Sequence, residues 1–141
     1  MIIRKLEAND YHRGYLNLLK QLTFVSDHGI SYEEFKEHLE NKVNSEIYVI
    51  IDGNDLIGSG TLLIEKKFVH NLKSVGHIED LVIDDRYRNR GFGKILVDHL
   101  ILQSKMNNCY KIILDCNLDK IEFYKKCDFK NKSAGMSLYF Q

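Results

Sequence analysis

The stretch GHIEDLVIDDRYRNRGFGK, residues 76 to 94, decides how this chain folds. Ile78, Leu81, Val82 and Ile83 form an apolar, mostly β-branched run that calls for a buried strand. Asp84 to Arg90 is polar apart from Tyr87, and Gly91-Phe92-Gly93-Lys94 then opens an apolar helical pattern. The order is strand, polar turn, helix. Strand neighbours point to opposite faces of a sheet. Asp80 is therefore expected on the side of Ile78 and Val82, and Glu79 on the side of Leu81 and Ile83. Two carboxylates on the two apolar faces of a central strand need partners. Each is expected to be largely buried, with a polar group or ligand in reach.

Upstream of this unit, residues 2 to 6 give a short strand signal. Tyr11, Tyr15, Leu18, Leu19 and Leu22 then recur at helical spacing, with Asn9 or Asp10 placed to cap. Ser31-Tyr32-Glu33-Glu34 has the form of a capping box and opens a second helix that turns Phe35 and Leu39 inward. The loop between them, residues 22 to 29, sits at helix ends as a candidate ligand wall. Residues 47 to 51 and 56 to 65 read as an antiparallel hairpin joined by Asp52-Gly53-Asn54-Asp55.

Downstream, Ile95, Leu96, Val97, Leu100, Ile101, Leu102 and Met106 cover more than half of a long helix that ends near Asn107. Residues 111 to 115 (KIILD) read as another buried strand. Asn117 can cap a short helix carrying Ile121, Phe123 and Tyr124, and residues 136 to 140 read as a last strand. The resulting order, β-α-α-β-β-β-α-β-α-β, describes an α+β (α/β) domain with one mixed, mostly antiparallel central sheet flanked by about four helices.

The chain has 141 residues, 44% of them hydrophobic, which is enough for one core and one domain. Lys and Arg number 20 against 20 Asp and Glu, so no broad basic field recommends nucleic acid or an anionic membrane. No apolar run reaches a membrane span, and MIIRKLEAND lacks a signal peptide's apolar stretch, so a cytoplasmic protein is expected. Cys109, Cys116 and Cys127 fit neither a zinc framework nor CxxC and are expected as reduced, half-buried thiols. The six histidines show no ligand spacing, and no metal is expected.

Arg88-Asn89-Arg90-Gly91-Phe92-Gly93 has the form R-x-x-G-x-G between a strand and a helix N-terminus. The first helical turn offers unpaired N–H groups and partial positive charge, glycine lets an anion reach the backbone, and Arg88, Arg90 and Lys94 add formal charge. The spacing is too short for G-x-x-x-x-G-K-[ST]. Leu96 stands where a dinucleotide fingerprint needs glycine. A pyrophosphate ligand of another kind remains, and coenzyme A fits.

These residues resemble the acetyl-CoA motif of the GNAT acetyltransferase superfamily, which implies the GNAT fold. Within it, KKFVHNL (66 to 72), GHIEDLVID (76 to 84), RNRGFGK (88 to 94), NCYKIILDC (108 to 116) and FYKKC (123 to 127) resemble the glucosamine 6-phosphate N-acetyltransferases. The resemblance implies a homodimer that transfers acetyl from acetyl-CoA to the 2-amino group of glucosamine 6-phosphate, on the route to UDP-N-acetylglucosamine. It also implies roles for residues matched by position. Thr23, Lys67, Phe68, Val69 and His70, with Tyr110 and Lys111, would form the sugar phosphate site. Glu79 and Asp80 would hold the sugar. Leu81, Val82 and Ile83 would offer backbone to the pantetheine arm, and Asn89, Arg90, Gly91, Phe92, Gly93 and Lys94 would take the pyrophosphate. Asp115 would sit beside the amine and Tyr124 beside the thioester sulfur.

Without the resemblance, Tyr124 reads as a core tyrosine, Asp115 as a strand-end cap, and Lys67, His70 and Lys111 as ordinary surface residues. With it, Asp115 orients the amine and Tyr124 is the acid for the departing thiolate. The chain departs from the family pattern twice. Tyr139 stands where many members carry an arginine, and Asp128 replaces a glycine. Two other functions fit the motif: a GNAT enzyme for another small amine or a peptide amine, and a non-catalytic acyl-CoA-binding sensor.

Overall fold

The computed structural model describes residues 1–26 and 29–140, so Asp27 and His28 of the expected loop wall lie outside the described residues. Among the described residues one sheet is formed by β1 (Ile2–Lys5), β2 (Ser45–Asp52), β3 (Asp55–Lys66), β4 (Ser74–Ile83) and β5 (Cys109–Ile113), in that spatial order. Neighbours are antiparallel up to β4, while β5 runs parallel to β4. The expected mixed sheet is present. Its hairpin follows from Gly53 at φ 61° in the turn between β2 and β3.

Helices α1 (Tyr15–Lys20) and α2 (Tyr32–Glu40) cover one face, and α3 (Phe92–Met106) the other, with the short α4 (Ile121–Lys126) beside it. Strand alternation divides the core accordingly. Ile50, Ile57, Leu62 and Ile78 pack with Leu96, Val97 and Leu100 of α3. Val49, Ile51, Leu56 and Val82 pack with Tyr15, Leu18 and Phe35. The capping box forms as expected, with Glu34 N–H donating to Ser31 Oγ at 3.1 Å and Ser31 N–H to Glu34 Oε1 at 3.2 Å.

Several expectations are corrected. The first helix is not continuous from residue 10: Gly14, at φ 83°, separates a 3-10 turn (Ala8–Arg13) from α1. Glu7 rather than Asn9 or Asp10 is the N-cap of that turn; Asp10 lies inside it, fully buried, and closes its capping box by accepting 2.8 Å from Glu7 N–H, besides 2.8 and 2.9 Å hydrogen bonds from Arg4. Burial opposes its charge, but those donors outweigh burial and hold its carboxyl below the usual range. Asn117 precedes a 3-10 turn without a side-chain cap bond. β5 ends at Ile113 rather than Asp115, and it is a half-exposed edge strand.

The last expected strand, 136 to 140, does not form, and Met136, Leu138, Tyr139 and Phe140 are 81% to 92% exposed. Their alternation supplies strand propensity, but a strand also needs a ladder partner, and this segment has none among the described residues. On α3, Leu102 and Met106 are exposed, so its buried stripe is narrower than expected. Leu100, at 0% exposure, sits at the centre of that stripe. Leu100→Ala is expected to lower the free energy of unfolding by roughly 2–5 kcal/mol, read by chemical denaturation.

Candidate active site

The β3–β4 register shifts where the two carboxylates stand. Thr61 faces Glu79 and Ser59 faces Val82, so Gly60 alone lies opposite both Asp80 and Leu81. This is a β-bulge, with Asp80 the extra residue at φ 50°. The alternation expected from the sequence breaks there. Leu81 and Ile83 join Ile78 on the α3 side, and Val82 turns to the α1 side. Glu79 points away from Ile78, and Asp80 lies close enough to the Tyr15 hydroxyl on the α1 side to act on its charge. Both carboxylates therefore share one side, contrary to the expectation of opposite faces.

Nor are they buried. Glu79 and Asp80 are exposed, with no hydrogen bond or ion pair among the described residues. The reason is the adjoining gap: β4 pairs with β5 only as far as His77 and Ile113, and beyond that its edge is free. The sheet splays there. Beneath the bulge, Tyr15 Oη and Ser59 Oγ pair at 3.0 Å in the buried layer. A Cβ at position 60 would come within 2.8 Å of Leu81 Cδ1, so only glycine leaves that side chain its place.

Across the gap, Asp115 is exposed two residues beyond β5, and a Cβ at Gly135 would lie 2.9 Å from its Oδ1. Tyr124 is half-buried on α4, its ring edge-on to Phe123 and Phe129. Burial pushes its phenol up to about 12, with Cys116 and Cys127 adding to the rise. The proton stays on at neutral pH. All three cysteines are free; burial raises Cys109 and Cys127, while Cys116 is exposed rather than half-buried. Asp128 adopts φ 70°, the left-handed backbone of the glycine it replaces, at a modest cost for aspartate.

The turn from β4 to α3 is an anion cradle in form. Gly91, at φ 87°, caps α3, and its carbonyl accepts the first helical bond from Ile95 N–H at 3.2 Å. The N–H groups of Phe92, Gly93 and Lys94 precede that bond and have no helical acceptor. Nothing would meet a Cβ at Gly91, so the surface there is open to a ligand. The Arg90 guanidinium lies 5.1 Å from the Tyr87 ring and 5.6 Å from the Phe92 ring, and Tyr87 is anchored by donating to Asp55 Oδ2 at 2.8 Å. Lys94 is less free than its motif position implied, because it pairs with Asp98 at 2.8 Å.

The other candidates lie elsewhere. Lys67 Nζ meets Glu65 at 3.0 Å, and His77 Nε2 meets the same carboxylate at 2.9 Å. His70 stacks on Tyr110 at 3.9 Å, and Lys111 Nζ stands 5.7 Å from that ring. His70, Asn71 and Leu72 form a left-handed turn at φ 52°, 58° and 68°, with Phe68 92% exposed beside it. This cluster adjoins the start of β4, where Ser74 pairs with Lys66 and Cys109. Leu81 is seven residues further on, roughly 20 Å along the strand. Thr23 instead follows α1 at the far end, with the bulge and the glycine turn. The sequence-derived site is thus two groups at opposite ends of β4. No group of three or more His, Cys, Asp or Glu placed for a metal occurs among the described residues, and no described helix is long and apolar enough to cross a membrane.

A splayed mixed sheet with a bulged β4 leading into a glycine-capped helix defines a GNAT acetyltransferase, and the acetyltransferase (GNAT) family profile matches residues 12–129. Within that class the chain belongs to the glucosamine 6-phosphate N-acetyltransferase family. Glucosamine 6-phosphate N-acetyltransferase of Arabidopsis thaliana is 39% identical over 144 residues, spanning 98% of this chain and 95% of that protein. The Candida albicans protein of the same name is 38% identical over 143 residues, spanning 97% and 94%. Among solved structures, the Arabidopsis enzyme superposes with a TM-score of 0.94 at 40% identity, covering 99% of this chain and 98% of that one. An acetyltransferase of Trypanosoma brucei gives 0.91 at 32% identity, covering 99% of each.

At the head of the cradle, Asp84 is 6% exposed and accepts from Arg86 through its guanidinium at 2.9 and 3.2 Å and its N–H at 3.0 Å. The Arg86 side chain is the main reason its carboxyl sits at about 2 instead of 3.8. A carboxyl depressed by folding adds stability above its unfolded pKa and loses that contribution as pH falls through the folded value. Asp84→Asn is expected to lower Tm at pH 7, with the gap to the parent closing between about pH 4 and about pH 2. A gap that does not change with pH would remove the ion pair as its cause.

Proposed function

We propose that this protein transfers the acetyl group of acetyl-CoA to the 2-amino group of D-glucosamine 6-phosphate, giving N-acetyl-D-glucosamine 6-phosphate and CoA for UDP-N-acetylglucosamine synthesis. One observation carries the chemistry: the β4 bulge opens the strand edge between the anion cradle on one side and Asp115 and Tyr124 on the other. The first-turn N–H groups of α3, Arg88 and Arg90 fit a pyrophosphate, and the backbone of Leu81, Val82 and Ile83 is the natural track for the pantetheine arm. Nearly full-length similarity to enzymes named for glucosamine 6-phosphate supports the acceptor.

Amide formation needs a neutral amine aimed at the thioester carbonyl, donors for the oxyanion, and a stabilised thiolate as the C–S bond breaks. Asp115 accepts a hydrogen bond from the amine and orients its lone pair. Free N–H groups on the unpaired edge of β4 face the oxyanion. Tyr124 donates a hydrogen bond to the thiolate; at about 12 its phenol is a weaker acid than a thiol, so it stabilises the leaving group while the proton shed by the amine nitrogen passes through water to the sulfur, which leaves as the CoA thiol. Its role is a hydrogen-bond donor rather than the full acid inferred from the sequence.

The cations suited to a sugar phosphate, Lys67, His70 and Lys111, stand too far along β4 to serve the cradle of their own chain. A second copy brings them to it. The exposed Phe68, Val69 and Leu72 beside them and the unpaired apolar segment 136 to 140 offer surface for that homodimer. In such a dimer each site draws on two chains, in a cytoplasmic enzyme.

A thiol-release assay should prefer glucosamine 6-phosphate over glucosamine by roughly 100-fold in kcat/KM, the scale of two charge-assisted contacts, with spermidine inert. Indifference to the phosphate would overturn the acceptor, and no turnover on any amine would favour an acyl-CoA sensor. Tyr124→Phe should lower kcat by roughly 10- to 100-fold while acetyl-CoA affinity holds within about twofold. Mixing Lys111→Ala with Tyr124→Phe, each weak alone, should restore about a quarter of parental activity through mixed dimers. No recovery would overturn the two-chain site.

A further inference from the structure

Gln21 is the residue that neither the motif nor the bulge explains. It closes α1, where its N–H returns to Leu18 and Leu19 carbonyls, and its side chain is exposed. Its Oε1 nevertheless reaches across the fold. It accepts 2.8 Å from Asp85 N–H, in the 3-10 turn after β4, and 3.4 Å from Arg88 Nη2, the first residue of R-x-x-G-x-G. Arg88 Nε also donates to Ile83 O at 2.9 Å, at the last residue of β4. One amide oxygen thus links three points: the end of α1, the turn, and the arginine that folds back on the strand.

We propose that Gln21 is a positioning residue for acetyl-CoA, acting through Arg88 and the Asp85 backbone to fix the cradle before the cofactor arrives. The proposal rests on the acetyl-CoA reading of that turn. Both groups that Gln21 meets are donors, so the tether needs an oxygen, and a neutral amide is the side chain that accepts without neutralising Arg88. A carboxylate there would pair with the guanidinium and compete with the diphosphate. Held by Ile83 O and Gln21 Oε1, Arg88 keeps Nη1 without a partner among the described residues, so a contact from it to a phosphate oxygen costs little further ordering. The same tether sets the start of the α1–α2 loop, since Thr23 follows two residues later with its N–H on Leu19 O at 3.1 Å. The cofactor cradle and the loop wall are thereby joined by a single side chain.

Gln21→Met keeps length and volume but removes the acceptor. Calorimetric titration with CoA is expected to show Kd rising roughly three- to tenfold, the scale of one hydrogen bond's net worth, with Tm close to the parent's. In steady state the same variant should raise KM for acetyl-CoA by a similar factor and leave kcat at saturation within about twofold. Combined with Arg88→Ala, its effect on Kd should fall short of the product of the two single effects, because both variants break one network. Undiminished CoA affinity in Gln21→Met, or full multiplicativity in the double variant, would overturn the inference. A parent that binds no CoA would instead overturn the acetyl-CoA reading, and this inference with it.

Discussion

The bulge at Asp80 is the constraint on which the rest of the structure depends. β4 has to stay paired with β3 along its length and yet part from β5 after His77. One extra residue in β4, opposite Gly60, allows both. Asp80 occupies left-handed backbone at φ 50°, a conformation that costs of order 1 kcal/mol or more for a residue with a side chain. The cost is met by the two cores on either side. Leu81 and Ile83 settle against α3 and Val82 against Tyr15 and Leu18, so the exposed bulge is followed at once by residues packed on both faces.

From that break the electrostatics of the molecule follow. With 20 cationic and 20 anionic side chains, no general field draws a phosphate in. Local geometry does the work instead. Arg86 is committed to Asp84, Lys94 to Asp98 and Lys67 to Glu65. Arg88 and Arg90 are held by an amide, a carbonyl and two aromatic rings, none of which cancels their charge. The cations left for a ligand are those with uncharged partners. This division explains why the motif's three basic residues are not equivalent.

The distance between Lys67 and the glycine turn carries a second lesson. Motifs close in sequence, KKFVH and RNRGFGK, stand at opposite ends of β4, because a strand of ten residues is about 30 Å long. The phosphate of a small amino sugar and the thioester carbonyl that its amine attacks cannot be that far apart. The two-chain site proposed above would resolve the conflict, and the exposed apolar segment at 136 to 140 offers surface for a second copy. Tyr139, in place of an arginine, is part of that exposed segment.

The sequence by itself determined the elements and the chemistry they carry. Period-two runs marked β2, β3 and β4, Ser31 and Glu34 marked the start of α2, and R-x-x-G-x-G marked the cradle, because propensity, capping and turn chemistry act between near neighbours. What only the tertiary structure decided was every relation between distant residues. Glu79 and Asp80 stand out in an apolar run, but nothing local signals that Asp80 leaves the alternation; the cause is Gly60 and the parting of β5. Gln21 likewise looks like any exposed glutamine at a helix end until Asp85 and Arg88, 64 and 67 residues away, are brought to its oxygen. The segment at 136 to 140 has strand propensity but forms no strand, because a ladder requires a partner as well as a sequence.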